Sequence, residues 1–246
     1  MTVPTPDHLV TGTGSPSTVF VAGLAQTLAD VRVFASGVSG TRTFVELVVP
    51  SVTAGVDDVD AVCAEVGASQ AVGVSLGATT VLTLAARQPQ RFDRLVLALP
   101  GAVFSDHLEP ARERMRSLRA AFEQRDQIAV AQALLAMQPV AVRSRLQVTM
   151  WARRQADVVL GLPLAPLLDD VLSGAAAALV STLDCAAVTM PVLVVAQRDD
   201  DVHPVAAAEQ LAAALPDARL VVSDVPWVWS ARDRLRDVVS GFLAGG

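Results

Sequence analysis

The chain contains no lysine, no asparagine and no tyrosine. All 19 of its basic residues are therefore arginine. Without lysine there is no Schiff-base chemistry and no Ser–Lys pair, and without tyrosine no phenolic general acid. Histidine occurs only at His8, His107 and His203, so any mechanism that needs an imidazole must use one of these. The two cysteines, Cys63 and Cys185, lie in apolar surroundings, which fits packing roles in a reduced, cytoplasmic protein. The missing residue types have A/T-rich codons, which points to a GC-rich source genome. Apolar runs are broken by Arg, Asp, Pro or Gly well short of a membrane span, so no membrane partner is expected. The stretch Met1 to Pro6 lacks the basic and apolar regions of a signal peptide. A net charge of −6 without a basic patch argues against nucleic acid as a partner.

What is present is apolar residue in abundance. Hydrophobic residues make up 52% of 246 and charged residues 18%, enough to bury a large core in one α/β domain. β-Branched runs at Thr18–Gly23, Thr41–Val49, Gln70–Val74, Arg94–Leu99, Met190–Ala196 and Arg219–Val225 read as strands. A shorter one is expected over His8–Gly14. Helical spacing separates them at Leu24–Phe34, Val56–Val66, Leu76–Gln88, Val205–Leu215 and Ala231–Leu243. Such alternation predicts βαβ units and a mostly parallel sheet covered on both faces. From Ser105 to about Thr189 the strand signal disappears, and Glu109–Phe122, Asp126–Met137, Val140–Leu160 and Pro166–Leu183 read as helices. The expected organisation is a core of residues 1–104 and 190–246 with a helical lid inserted at 105–189. The arginines of that insertion read as a solvated helix face.

Chemistry centres on Gly73-Val74-Ser75-Leu76-Gly77, set between a strand and a helix. A serine on so sharp a turn has crowded neighbours, and glycines two residues before and after relieve the crowding. Its hydroxyl then stands at the C-terminal edge of the sheet, facing the free N–H groups of the next helix. The alternative reading is a Gly/Ser-rich turn without chemistry.

With this motif the chain resembles the α/β-hydrolase superfamily. Further matches are Arg91-Phe92-Asp93-Arg94-Leu95-Val96, the helical insertion, and the segment from Pro191 to Pro204. The resemblance implies an α/β-hydrolase fold, with Ser75 as nucleophile, Asp200 as the triad acid and the amides of Leu24 and Leu76 as an oxyanion hole. A shift of the acid to Asp199 or Asp201 stays open. No cofactor and no metal are implied. The implied substrate is an apolar small molecule with a carbonyl or ester-like group, and a homodimer stays open. Three departures stand against the matches. Ala22-Gly23 replaces the family's His-Gly, Val48-Val49-Pro50-Ser51 replaces its Gly-His-Gly, and Gln197 stands where a glycine is usual. The loop after the last strand, Val225 to Asp233, has no histidine, so the triad is degenerate. Trp227 or Trp229 stands about where the base belongs, either as core packing or as a wall of the substrate pocket.

Three readings follow. His203 could act as a displaced base, three residues past Asp200, if it reaches the serine; otherwise it caps or packs at a helix start. His107, at the mouth of the insertion, is a poorer base and a candidate substrate contact, and His8 reads as terminal decoration. Alternatively the pocket directs a cyclisation, elimination or rearrangement without acylating serine, in keeping with natural-product metabolism in GC-rich bacteria. The third reading is a catalytically dead ligand binder.

Overall fold

Seven strands form one sheet in the order β1-β3-β2-β4-β5-β6-β7. The computed structural model describes residues 8–101, 108–181 and 185–246. The strands are β1 (His8–Thr11), β2 (Ser17–Val21), β3 (Thr41–Val45), β4 (Gln70–Val74), β5 (Arg94–Ala98), β6 (Val192–Gln197) and β7 (Ala218–Ser223). Only β1 runs antiparallel, pairing His8 with Val45 at the edge beside β3. Every other pairing is parallel. Strands β4 and β6 are buried along their whole length, as a parallel sheet covered on both faces requires.

Two apolar layers flank the sheet. One face packs against α2 (Val52–Val66), α3 (Leu76–Arg87) and α9 (Val205–Ala214). The other packs against α1 (Leu28–Val31), the 3-10 turn Arg32–Ala35, α10 (Trp227–Ser230) and α11 (Arg232–Leu243). Between β5 and β6 the chain is helical: α4 (Leu108–Glu123), α5 (Gln127–Ala136), α6 (Leu146–Gly161), α7 (Ala165–Leu172) and α8 (Ala175–Ser181). Here α5 packs on α6, α4 on α5 and α7, while α7 and α8 rest on α2 and α3. Asp170 on α7 accepts from the N–H of Val52 at 2.7 Å and so satisfies a free donor at the start of α2.

Several boundaries differ from the sequence reading, each for a local reason. The helix expected over Leu24–Phe34 is only four residues of α1 plus the 3-10 turn. Residues 24–27 instead form a turn, with Ala25 at φ 57°. Helix α2 starts four residues early because Ser51 caps it, accepting from the N–H of Ala54 at 3.2 Å. The helix expected over Pro166–Leu183 is broken at Gly174, whose φ of 90° suits glycine alone. The loop expected at Pro226–Ser230 contains the short helix α10. Cys63 is buried, and burial, the largest influence, pushes its thiol up to about 12. Cys185 is half-buried against the same apolar layer.

The chain crosses from β2 to β3 on one side, then returns to place β4 on the other side of β2. This reversal opens a crevice at the C-terminal ends of β2 and β4. Backbone strain collects at that edge. Among the described residues five non-glycine residues have positive φ, and four follow a strand: Ala25 after β2, Ser75 after β4, Leu99 after β5 and Asp199 after β6.

Candidate active site

Ser75 is the residue between β4 and α3, with φ 54° and ψ −116°. Its N–H donates to the carbonyl of Ala98 at 2.9 Å, so the turn is tied to β5. The flanking glycines are needed for space. A Cβ on Gly73 would collide with the Gly77 carbonyl, and one on Gly77 with the carbonyls of Val21 and Ala22. Strand β2 and helix α3 thus approach closely enough to bring the residues after β2 beside Ser75. A Cβ on Gly23 would lie only 3.0 Å from the Ser75 Cβ.

The loop after β6 supplies the next two groups. Asp200 is buried, and its carboxylate has four donors. Oδ1 accepts from the backbone N–H groups of Val202 and His203, both at 3.0 Å. Oδ2 accepts from Gln197 Nε2 at 2.7 Å and from His203 Nδ1 at 3.1 Å. Those backbone bonds fold the loop back on itself and turn the His203 ring toward β4. Its Nε2 then lies 2.9 Å from Ser75 Oγ. With Nδ1–H donating to Asp200, Nε2 is left as the acceptor for the serine hydroxyl. Burial alone would raise the Asp200 carboxyl. The charge and hydrogen bonds of His203 and the amide of Gln197 outweigh it and hold the carboxyl below its ordinary value. The three side chains form one continuous hydrogen-bonded chain that can carry a proton from Oγ to the imidazole while the carboxylate stabilises the resulting charge.

The neighbouring acids face elsewhere. Asp199 is exposed. Asp201 is an exposed acid with Arg114 of α4 at 3.3 Å and Arg143 at 3.7 Å.

The two tryptophans part company. Trp227, a candidate pocket wall, is fully buried and absent from the cavity lining. Its indole N–H donates to the Ala196 carbonyl at 2.7 Å and its backbone N–H to Gln197 Oε1 at 2.9 Å. It therefore packs under the sheet edge and cannot touch a ligand. Trp229 does line the cavity, edge-on to Trp151 at 5.7 Å between centroids, with its N–H on Gln138 at 2.9 Å. His107 lies outside the described residues. His8 lies on the outermost strand β1, three strands away from β4, with Glu65 at 3.7 Å.

Leu24 follows the Gly23 approach, and Leu76 is the first residue of α3. Both line the space in front of Ser75. The Leu24 loop is held by side chains that the sequence did not single out. Gln26 Oε1 accepts from Gly23 N–H at 2.7 Å, and buried Gln155 of α6 donates to the Ala25 carbonyl at 2.7 Å. Trp151 Nε1 donates to Asp30 at 2.8 Å, a second tie from α6 to the same region. Isolated glutamines leave no periodic signal, so only their placement across the cavity reveals them.

Ser75 and His203 sit between two spaces. The larger, about 850 Å³, is walled by α6, the Leu24 loop and α10, and includes Gln138, Trp151 and Trp229. The smaller, about 100 Å³, lies toward α4, α7 and α8 and is lined mainly by apolar side chains such as Leu76, Met115, Val171 and Leu172. Among the described residues no group of three or more His, Cys, Asp or Glu could hold a metal ion. No helix among them is long and apolar enough to cross a membrane.

Residues 52–225 match a family model described as alpha/beta hydrolase fold. Solved structures of similar shape include the enol-lactonase from Burkholderia xenovorans LB400, at 18% identity and a TM-score of 0.73, covering 97% of this chain and 96% of that one. A hydrolase from Oleispira antarctica is 12% identical with a TM-score of 0.74, covering 98% and 96%. Est816, described as an N-acyl homoserine lactone degrading enzyme, is 19% identical with a TM-score of 0.70, covering 97% and 95%. At these identities the likeness is one of fold. No curated protein matches the sequence.

Proposed function

Because the chain belongs to the alpha/beta hydrolase fold family, we propose that it is a serine hydrolase acting on a small molecule with an ester or lactone bond. Ser75 is the nucleophile, His203 the displaced base and Asp200 the acid that orients it. The observation that carries the proposal is the distance of 2.9 Å from His203 Nε2 to Ser75 Oγ, with 3.1 Å from His203 Nδ1 to Asp200. A base must come within hydrogen-bond reach of the proton it takes, and this one does. The lactonase and esterase activities named for proteins of the same fold are in keeping with it.

In the proposed reaction Oγ attacks the carbonyl carbon and His203 takes the hydroxyl proton. The carbonyl oxygen becomes an oxyanion facing the amides of Leu24 and Leu76. The C–O bond to the leaving group then breaks, and His203 returns the proton to the departing alkoxide. Water attacks the acyl-serine with His203 again as base, and release of the acid restores Ser75. Asp200 keeps its negative charge throughout and stabilises the imidazolium. Helices α4 to α8 serve as a lid over the cavity. Non-hydrolytic chemistry, in which Ser75 is not acylated, has no comparable observation in its favour.

The test is intact-mass labelling with a fluorophosphonate. Wild type takes one adduct. Ser75→Ala takes none, and His203→Ala reacts slower by several orders of magnitude, since base and nucleophile act as a unit. Wild type that stays unlabelled beside a reactive control hydrolase, or a His203→Ala variant labelled at the wild-type rate, would overturn this reading.

A further inference from the structure

The two spaces beside Ser75 differ in charge as well as size. The smaller holds room for about three water-sized groups, and among the described residues no carboxylate lines it. Its one charged lining residue, Arg112, has its guanidinium beside Gly174. The larger is lined by two acids and three arginines, Arg32, Arg154 and Arg232. Both acids are already engaged. Asp30 accepts from Trp151 through Oδ1, and from the Thr27 N–H and hydroxyl through Oδ2, at 2.8–2.9 Å. Asp200 carries its four donors.

The arginines are not engaged in that way. Among the described residues none of the three has a carboxylate within ion-pair distance. Arg32 lies over the Phe44 ring at 5.8 Å, Arg232 donates Nε–H to the Val228 carbonyl at 2.6 Å, and Arg154 has no hydrogen-bond partner. They come from three separate elements, the turn after α1, helix α6 and the start of α11, yet converge on one cavity. Elsewhere on this acidic chain, Arg87, Arg114, Arg116, Arg119 and Arg236 face carboxylates, whereas Arg94 and Arg234 lie over aromatic rings and Arg145 donates to Ser230. A cavity lined by exposed guanidinium groups without carboxylate partners, beside acids that are already engaged, attracts an anion.

We infer that the substrate is an acidic ester: a short apolar arm of about three or four carbons enters the pocket beside Leu76 and Met115, and a longer arm carries an anion, carboxylate or phosphate, to Arg32, Arg154 and Arg232. This rests on the serine-hydrolase reading for the bond cleaved, but not for the anion. It adds a charged arm to the apolar molecule that the sequence suggested.

Two matched ester series test it, one for each orientation of the carbonyl. In one, 6-butanoyloxyhexanoate is compared with 6-butanoyloxyhexanamide and with 6-butanoyloxyhexyl phosphate. In the other, butyl hydrogen adipate is compared with its terminal amide. The expected result is a kcat/KM about tenfold higher for an anionic member than for the amide, the scale of one charge-assisted hydrogen bond. The ratio falls as salt rises. Carboxylate against phosphate decides which anion is preferred. Arg154→Glu and Arg232→Glu lower the ratio at least fivefold, whereas Arg236→Glu, on the outer face of α11, leaves it unchanged. Equal rates for acid and amide in both series, or a ratio unmoved by the two cavity variants, overturns the inference.

A second readout separates its failure from that of the hydrolase reading. Adipate is titrated against the fluorescence of Trp151 and Trp229, with adipamide as control. Saturable quenching by adipate alone, weakened by Arg154→Glu, supports the anion site even in a protein whose Ser75 takes no fluorophosphonate. No quenching difference between adipate and adipamide counts against the site even where Ser75 is reactive.

Discussion

Gln197→Met removes one side chain that joins two parts of the site. Gln197 Nε2 donates to the Asp200 carboxylate at 2.7 Å, and Gln197 Oε1 accepts from the Trp227 N–H at 2.9 Å. Methionine fills a similar volume but keeps neither bond. A hydrogen bond to a charged group contributes about 1.5–3 kcal/mol, and a buried N–H left without an acceptor costs about 1–3 kcal/mol. The expected loss of stability at pH 7 is therefore about 4 kcal/mol, which lowers Tm by roughly 8–16 °C in a chain of this size. The deficit depends on pH with a definite sign. The Asp200 carboxyl is held below its ordinary value, so the stability it confers is fully present above the unfolded value of about 3.9. That stability is lost as pH falls through the lower, native value. In the variant the native value moves back up, because one donor to the carboxylate is gone, so less stability is at stake and its loss is complete at a higher pH. Urea melts of both proteins at pH 7, 4 and 2 should show a gap that narrows toward the acid end, as Asp200 becomes protonated and the Gln197 bond is no longer charge-assisted. The rate of fluorophosphonate labelling should fall as well, because the carboxylate that orients His203 is less firmly held. A stability gap of the same size at every pH, with an unchanged labelling rate, would mean that Gln197 only supports Trp227.

Gly77→Ala forces a Cβ against the carbonyls of Val21 and Ala22, which are sheet backbone and cannot give way. Circular dichroism melts should show a loss of more than about 3 kcal/mol or no cooperative transition, well beyond the usual cost of a point substitution. Gln155→Leu leaves the Ala25 carbonyl without its donor at 2.7 Å and frees the loop that carries Leu24. Labelling of Ser75 should slow by about tenfold with a modest change in Tm of a few degrees, less than the roughly 10²–10³ of losing an oxyanion donor outright, because the Leu24 amide is displaced and not removed. Native Cys63 should resist alkylation by iodoacetamide at pH 8 and react once urea unfolds the chain, because burial pushes its thiol up to about 12.

The sequence by itself determined the sheet, its parallel sense and the position of the serine. Those features rest on local signals. Strands such as Gln70–Val74 are short continuous apolar runs, and Gly73 and Gly77 mark a turn that only glycine can build. Burial pattern and steric demand are written into neighbouring residues, so they can be read without knowing what lies across the fold. Asp200 was placed by resemblance to a family segment, with a shift to Asp199 or Asp201 left open, and only the fold shows that Asp200 is the one of the three that is buried.

Tertiary structure alone decided that His203 meets Ser75, 128 residues away in the chain. The ring direction is set by two backbone bonds to Asp200 and by the packing of β6 two strands from β4, and neither has a periodic signature. It also decided between the roles open to the tryptophans, sending Trp227 under the sheet and Trp229 to the cavity. The Leu24–Phe34 stretch was misread as one helix because its apolar spacing suits a helix. Side-chain bonds hold it as a turn instead, one local from Gln26 to the Gly23 N–H and one from Gln155 of α6 to the Ala25 carbonyl, and together they outweigh local propensity there. That Arg32, Arg154 and Arg232 meet at one site has the same origin: three residues from separate elements line one cavity only after the chain has folded.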